Sequence, residues 1–89
     1  MKLKNGVIIT EAQGGYVAVD ANAGRGRFNG MIKMNKTAAF VANLLKDGAD
    51  EESLVRAMLE KFDVSEKDAR DSVNVVVANL REAGLIEDE

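Results

Sequence analysis

Apolar positions along the chain follow two different periods, and the change falls near Asn35. Before it the pattern is that of strands. Val7-Ile8-Ile9-Thr10 is a β-branched run that predicts a first strand. Gln13-Gly14-Gly15-Tyr16 follows, and its Gly-Gly pair predicts a two-residue hairpin turn, because both central residues tolerate positive φ. Tyr16-Val17-Ala18-Val19 reads as the return strand, with Val17 and Val19 sharing one face. The stretch "ANAGRGRFNG" reads as a Gly-rich loop. Met31-Ile32-Lys33-Met34 then reads as a short third strand, with Ile32 and Met34 on one face and Met31 and Lys33 on the other.

After Asn35 the spacing becomes helical. Asn35 is the expected N-cap of a helix whose apolar stripe is Phe40, Val41, Leu44 and Leu45 and whose end is marked by Asp47-Gly48. Asp50 is the expected cap of a second helix. Glu51 and Glu52 sit at its positive end, and Leu54, Val55, Met58, Leu59 and Phe62 line its inner face. Ser65 is the expected cap of a third, with Asp68 where a capping-box acid would stand. Ala69, Val73, Val76, Val77 and Leu80 form its core face, and Gly84 ends it. Leu85-Ile86 is expected to tuck under the core, and Glu87-Asp88-Glu89 to be a solvated tail. Three strands followed by three helices predict an α+β fold, a three-stranded antiparallel β-meander with helices on one face. The same elements fit a winged helix-turn-helix-like arrangement. No repeat or composition break divides the chain, so residues 1–89 read as one domain.

Composition narrows the chemistry. The sequence contains no Cys and no His. That removes disulfides, thiolate sites, the usual zinc ligands and the usual histidine base. No metal, cofactor or catalytic residue is therefore expected. Carboxylates such as Glu51, Glu52, Glu60 and Glu66 lie on predicted solvent faces, where solubility and capping account for them. "GRGRFNG" lacks the Lys-Ser/Thr end of a P-loop. Met1-Lys2-Leu3-Lys4 runs into Asn5-Gly6 with no apolar signal region, and no apolar run reaches membrane-spanning length, so a soluble cytoplasmic protein is expected.

Charge is segregated beneath the net value of −3. Between Ala21 and Lys46 there is no acid, while Arg25, Arg27, Lys33, Lys36 and Lys46 are basic; from Asp47 onward 13 acids face 5 bases. A DNA-binding regulator of winged helix-turn-helix type would present its third helix to the major groove. That helix carries Lys67, Arg70 and Arg81 against Glu66, Asp68, Asp71 and Glu82, an excess of acid where phosphate neutralisation needs base. The basic cluster lies instead around the third strand and the start of the first helix. In a meander the third strand is also an edge, and an open edge can take an added peptide strand. The same edge could pair with a second copy of the chain. On the third helix, Ser72, Val75, Asn79 and Ala83 form a flank of mostly small residues with Asp68 at its start, suited to wall a groove beside that edge. Pattern alone leaves edge capture and plain core packing both open.

The segments "FNGMIKMNKTAAFVANLL", "ADEESLVRAMLEKFDVSEKDARDSV" and "NLREAGLI" together resemble the PqqD family, over Lys2 to Ile86. The family comprises the peptide recognition elements of ribosomal peptide natural product biosynthesis. The resemblance implies three antiparallel strands on three helices and no chemistry in the domain itself. It implies capture of a precursor's leader peptide by strand addition along the third strand, beside the third helix. It implies presentation of that leader to a modifying enzyme, often a radical SAM protein. Carried over by position, the peptide-binding residues would be Met31, Ile32, Lys33 and Met34 on the strand and Asp68, Ser72, Val73, Val75, Val76 and Asn79 on the helix. Arg25, Arg27, Lys33 and Lys36 would suit an acidic leader. Quinone-pathway members carry prolines before the third strand, where this chain has "NAGRGRFNG", so the pathway served is left open.

Overall fold

The β-branched segments up to Met34 build a sheet, and the chain from Lys36 to Glu82 builds helices over one face of it. The computed structural model describes residues 1–21 and 31–87, and of Met31 the backbone alone. In chain order the elements are β1 (Lys2–Leu3), β2 (Val7–Ala12), β3 (Gly15–Asp20), β4 (Met31–Met34), α1 (Lys36–Leu45), α2 (Glu51–Lys61), α3 (Glu66–Glu82) and β5 (Ile86–Glu87). Strands β2, β3 and β4 form an antiparallel meander in that order, followed by the three helices, as the α+β reading expects. The strand read as third from the sequence is β4.

The hairpin turn differs from expectation by one residue. Ala12 pairs with Gly15, so Gln13 and Gly14 make the turn and Gly15 opens β3. Gly14 takes the positive φ of 75° that the turn requires. Gly15 serves another purpose: a Cβ there would lie 3.0 Å from the carbonyl oxygen of Met34, so a side chain would push β3 and β4 apart.

Residues paired across antiparallel strands point to the same face. Ala18 is paired with Ile9 on one side and Ile32 on the other, and this face meets the helices. Val17 and Val19 do share a face, but it is the outer one, beside Ile8, which is 52% exposed. The core contact of β3 is the fully buried Ala18.

Each helix begins where the sequence places a cap. The Ala38 N–H donates to Asn35 Oδ1 at 2.8 Å, and the Asp68 N–H donates to Ser65 Oγ at 3.1 Å. The reciprocal capping box forms at α2: the Ser53 N–H donates to Asp50 Oδ1 at 2.8 Å, and the Asp50 N–H to Ser53 Oγ at 3.2 Å. The core joins Leu45 and Val41 of α1, Leu54 and Met58 of α2, Val73 and Leu80 of α3, and Leu85 beyond it. Each buried Leu, Val or Met side chain contributes about 1.5–3 kcal/mol by leaving water. Phe40 and Phe62 meet edge to face, with ring centroids 5.3 Å apart, and so tie α1 to the end of α2. Leu59 stands at the margin of this core rather than in it, and is exposed.

The two ends of the described chain add a second, two-stranded sheet. Lys2 pairs with Glu87 and Leu3 with Ile86. The Lys4 N–H donates to the Leu85 carbonyl at 2.9 Å, and the Ala49 N–H to the Met1 carbonyl at 2.8 Å. Leu3 and Leu85 are both buried beneath this clasp. Leu85 thus tucks under the core as expected, and Ile86, within β5, packs half-buried against it.

Candidate functional site

Only Asn35 separates β4 from α1. Its backbone is extended (φ −84°, ψ 179°) while its side chain closes the first helical turn. The junction therefore fixes the start of α1 beside the free edge of β4. Among the described residues, β4 pairs with β3 alone. Alternate residues along it turn their amide and carbonyl groups away from β3.

Helix α3 forms the opposite wall. Its buried stripe, Ala69, Val73, Val76 and Leu80, holds it to the core. Two clefts lie along the line between β4, α1 and α3. The inner one, of about 40 Å³, is lined by Ile32, Lys33 and Met34 of β4, Ala38 of α1, and Val76, Asn79 and Leu80 of α3. The outer one, of about 260 Å³, is lined by Asn35 and Thr37 at the start of α1 and by Asp71, Ser72, Val75 and Val76 of α3. Val76 belongs to both and divides them.

The residues singled out in the sequence distribute as follows. Ile32, Lys33, Met34, Val76 and Asn79 line the inner cleft, and Ser72, Val75 and Val76 the outer one. Val75 is 59% exposed. Met31 lies in β4 opposite Val19. Asp68 is exposed in the first turn of α3 and lines neither cleft. Val73 is fully buried in the core and lines neither cleft. Lys36 is exposed at the first turn of α1. Arg25 and Arg27 fall outside the described residues. Sequence reasoning missed Asn35, Thr37, Ala38, Asp71 and Leu80 as lining residues. The signal was available for Ala38 and Thr37, since a one-residue strand–helix junction must bring the first turn of α1 to the strand edge.

Electrostatics distinguish the two walls. On α3, Arg70 Nη1 reaches Glu51 Oε2 at 2.9 Å and Glu52 Oε2 at 2.7 Å, and its Nη2 reaches Glu66 Oε2 at 3.2 Å. The hydrogen bond from Arg70, and then its charge, hold the Glu52 carboxyl below the usual range. These carboxylates raise the Arg70 guanidinium further, Glu52 most of all. Lys67 Nζ lies 3.1 Å from Asp71 Oδ2, whose hydrogen bond raises the lysine. Arg81 also has a partner. The basic groups of α3 are thus engaged within the protein, and the alternative of a groove-reading DNA helix finds no support. Lys33 and Lys36, by contrast, form no ion pair with a described residue. Among the described residues no three His, Cys, Asp or Glu side chains are grouped to hold a metal, and no helix is long and apolar enough to cross a membrane.

Comparison with known proteins follows this geometry. The family model described as coenzyme PQQ synthesis protein D (PqqD) matches residues 6–86. No curated protein matches the chain. Among solved structures, lasso peptide synthetase B1 complexed with the leader peptide is 22% identical, with 98% of this chain and 96% of that chain covered, at a TM-score of 0.71. TbiB1 in complex with the TbiA(beta) leader peptide is 17% identical, with 100% and 98% covered, at a TM-score of 0.75. At these identities the likeness to the two structures is one of fold.

Proposed function

The chain belongs to the PqqD family, and on that premise we propose that it is a non-catalytic chaperone for the leader of a ribosomally made precursor peptide. Residues 1–89 act as one recognition domain. The leader adds as a strand to the free edge of β4, at Met31, Ile32, Lys33 and Met34. Its groove-facing side chains meet α3 at Ser72, Val75, Val76 and Asn79. The bound leader is then presented to a modifying enzyme, of radical SAM type or another class, in the cytoplasm. The domain uses no metal or cofactor of its own.

One observation carries the reading: the edge of β4 away from β3, which has no strand partner among the described residues, borders a cleft walled by α3. Main-chain hydrogen bonds from such an edge give affinity with little demand on sequence, and adjoining side-chain clefts add selectivity. The two fold neighbours, each solved with a leader peptide, support the assignment. Lys33 and Lys36 favour an acidic leader, because both are exposed on the strand side of the groove. Arg25 and Arg27 belong to the same basic stretch of sequence.

The test is an NMR titration with synthetic leaders of the small open reading frames beside the gene. Saturable amide shifts at Met31–Met34 and along Ser72–Asn79 are expected. Shifts elsewhere, or no leader binding together with tight, salt-sensitive binding to duplex DNA, would overturn the proposal.

A further inference from the structure

The two clefts lie in one order along both walls of the groove. Along β4 and its junction, residues 32–34 border the inner cleft and Asn35 the outer, while on α1 Thr37 faces the outer cleft and Ala38 the inner. Along α3 the order is reversed, with residues 71–76 at the outer cleft and 76–80 at the inner. The helix wall therefore runs antiparallel to the strand wall, and the clefts are successive stations on one path. Their centres are about five helical residues apart on α3, or roughly 7 Å at 1.5 Å per residue. Two residues of an extended strand span about 6.7 Å. A strand added to β4 alternates its side chains between the groove and the outer face, so residues two apart would reach the two clefts together.

The clefts differ in chemistry. The inner one, about 40 Å³, is far smaller than the outer at about 260 Å³; Ile32, Met34, Ala38, Val76 and Leu80 border it, with Lys33 and Asn79 at its rim. Its size suits a small aliphatic side chain better than an aromatic ring. The outer one is wider and mixed: Val75 and Val76 give it an apolar floor, and the hydroxyls of Thr37 and Ser72, the amide of Asn35 and the carboxylate of Asp71 stand at its border. Because the Asn35 oxygen is already taken by the Ala38 N–H, its amide hydrogens are the part it can offer. The peptide residue between the two stations would point to the outer face, the face of Lys33, which is exposed.

From this, and resting on the strand-addition reading above, we propose that the groove selects a three-residue signature in its peptide. A small aliphatic residue fills the inner cleft. A polar residue bearing an amide or hydroxyl fills the outer cleft. An acidic residue stands between them beside Lys33. Thr37, Ala38 and Ser72 are the residues that set this choice.

The experiment is selection of randomised linear peptides displayed on phage against the intact chain, followed by NMR titration of the enriched peptide. Enrichment of Ala or Val two residues from Asn, Gln, Ser or Thr, with Asp or Glu between, is the expected result. Ala38→Leu adds three carbons at the inner cleft and should weaken the selected peptide by at least about tenfold, the lower end of the effect of a single methylene. Thr37→Val with Ser72→Ala should erase the amide or hydroxyl preference while leaving the aliphatic one. Circular dichroism checks that both variants stay folded. Enriched peptides that shift Met31–Met34 but show large aromatics, or no two-residue period, would overturn the signature and leave strand addition standing. Enriched peptides that leave Met31–Met34 unshifted, or no enrichment, would overturn both.

Discussion

At the scale of single residues, Met34 and Lys33 are neighbours with opposite duties. Met34 points to the helices and is 8% exposed, within the core cluster. A carboxylate there has no cation beside it in the core, where every buried residue among those described is apolar. Burying such a charge costs several kcal/mol even after relaxation, against a total stability of about 5–15 kcal/mol for a domain. Met34→Asp should therefore abolish the cooperative thermal transition, followed by circular dichroism; a retained transition would show that β4 is not held by its inner face. Lys33 points outward, opposite Val17. Lys33→Glu should change stability by no more than ~0.5 kcal/mol, as surface changes do. It should nevertheless weaken an acidic leader several-fold at low salt, measured by calorimetry, and most of that loss should vanish at high salt. Equal affinity of the two proteins at low salt would remove Lys33 from recognition. Both roles could be read from the two-residue period of the sequence. The polar groove residues could not: Asn35, Thr37 and Asp71 look like ordinary solvent-facing positions until α1 and α3 are placed side by side.

At the scale of elements, the groove depends on how α3 is held: its buried stripe fixes it to the core, and Arg70 ties its N-terminal end to the start of α2. Arg70 reaches Glu51 and Glu52 at the start of α2 and Glu66 one turn back on α3. Two carboxyls at this junction sit below their usual pKa range: Glu52, chiefly through the hydrogen bond from Arg70, and Asp50, chiefly through the Ser53 N–H. A carboxyl whose pKa is lowered by folding adds stability that is complete above its unfolded pKa and is lost as pH falls through its folded one. Both contributions should fade as pH drops below about 4. Because these groups are exposed, solvent screening keeps them small. Arg70→Met removes the Glu52 share and leaves the Asp50 share. The variant should have a lower Tm at neutral pH and a shallower fall of Tm between about pH 5 and pH 3 than the parent. Parallel Tm–pH curves would show that the arginine cluster has no part in joining α2 to α3. The helices and their caps were legible because periodicity and capping are local signals that tertiary packing here reinforces. The cross-helix use of Arg70 was not, since its partners Glu51 and Glu52 are 19 and 18 residues away.

At the scale of the whole molecule, the meander followed by three helices was legible, while the clasp joining the two ends was not. Lys2–Leu3 and Ile86–Glu87 are too short to carry a period, and their pairing spans nearly the entire described chain. The hairpin turn shows the same limit on a smaller scale. Gln13-Gly14-Gly15 offers two glycines with equal local freedom, and the pairing that puts Gln13 and Gly14 in the turn and Gly15 against the Met34 carbonyl is a tertiary feature. The clasp also bears on the groove. Leu85 is fully buried, and its N–H donates at 2.9 Å to the carbonyl of Leu80, whose side chain lines the inner cleft. Leu85→Ala should cost about 2–5 kcal/mol, the range for truncating a buried leucine, and should loosen the last turn of α3. Leu54→Ala, in the equally buried core face of α2, should cost a similar amount, yet Leu54 borders neither cleft. Under conditions where both variants remain fully folded, leader affinity should fall in Leu85→Ala and stay near the parent value in Leu54→Ala. Urea melts give the stabilities and calorimetry the affinities. If affinity falls equally in both, the groove responds to overall stability alone and the clasp holds no special place in shaping it.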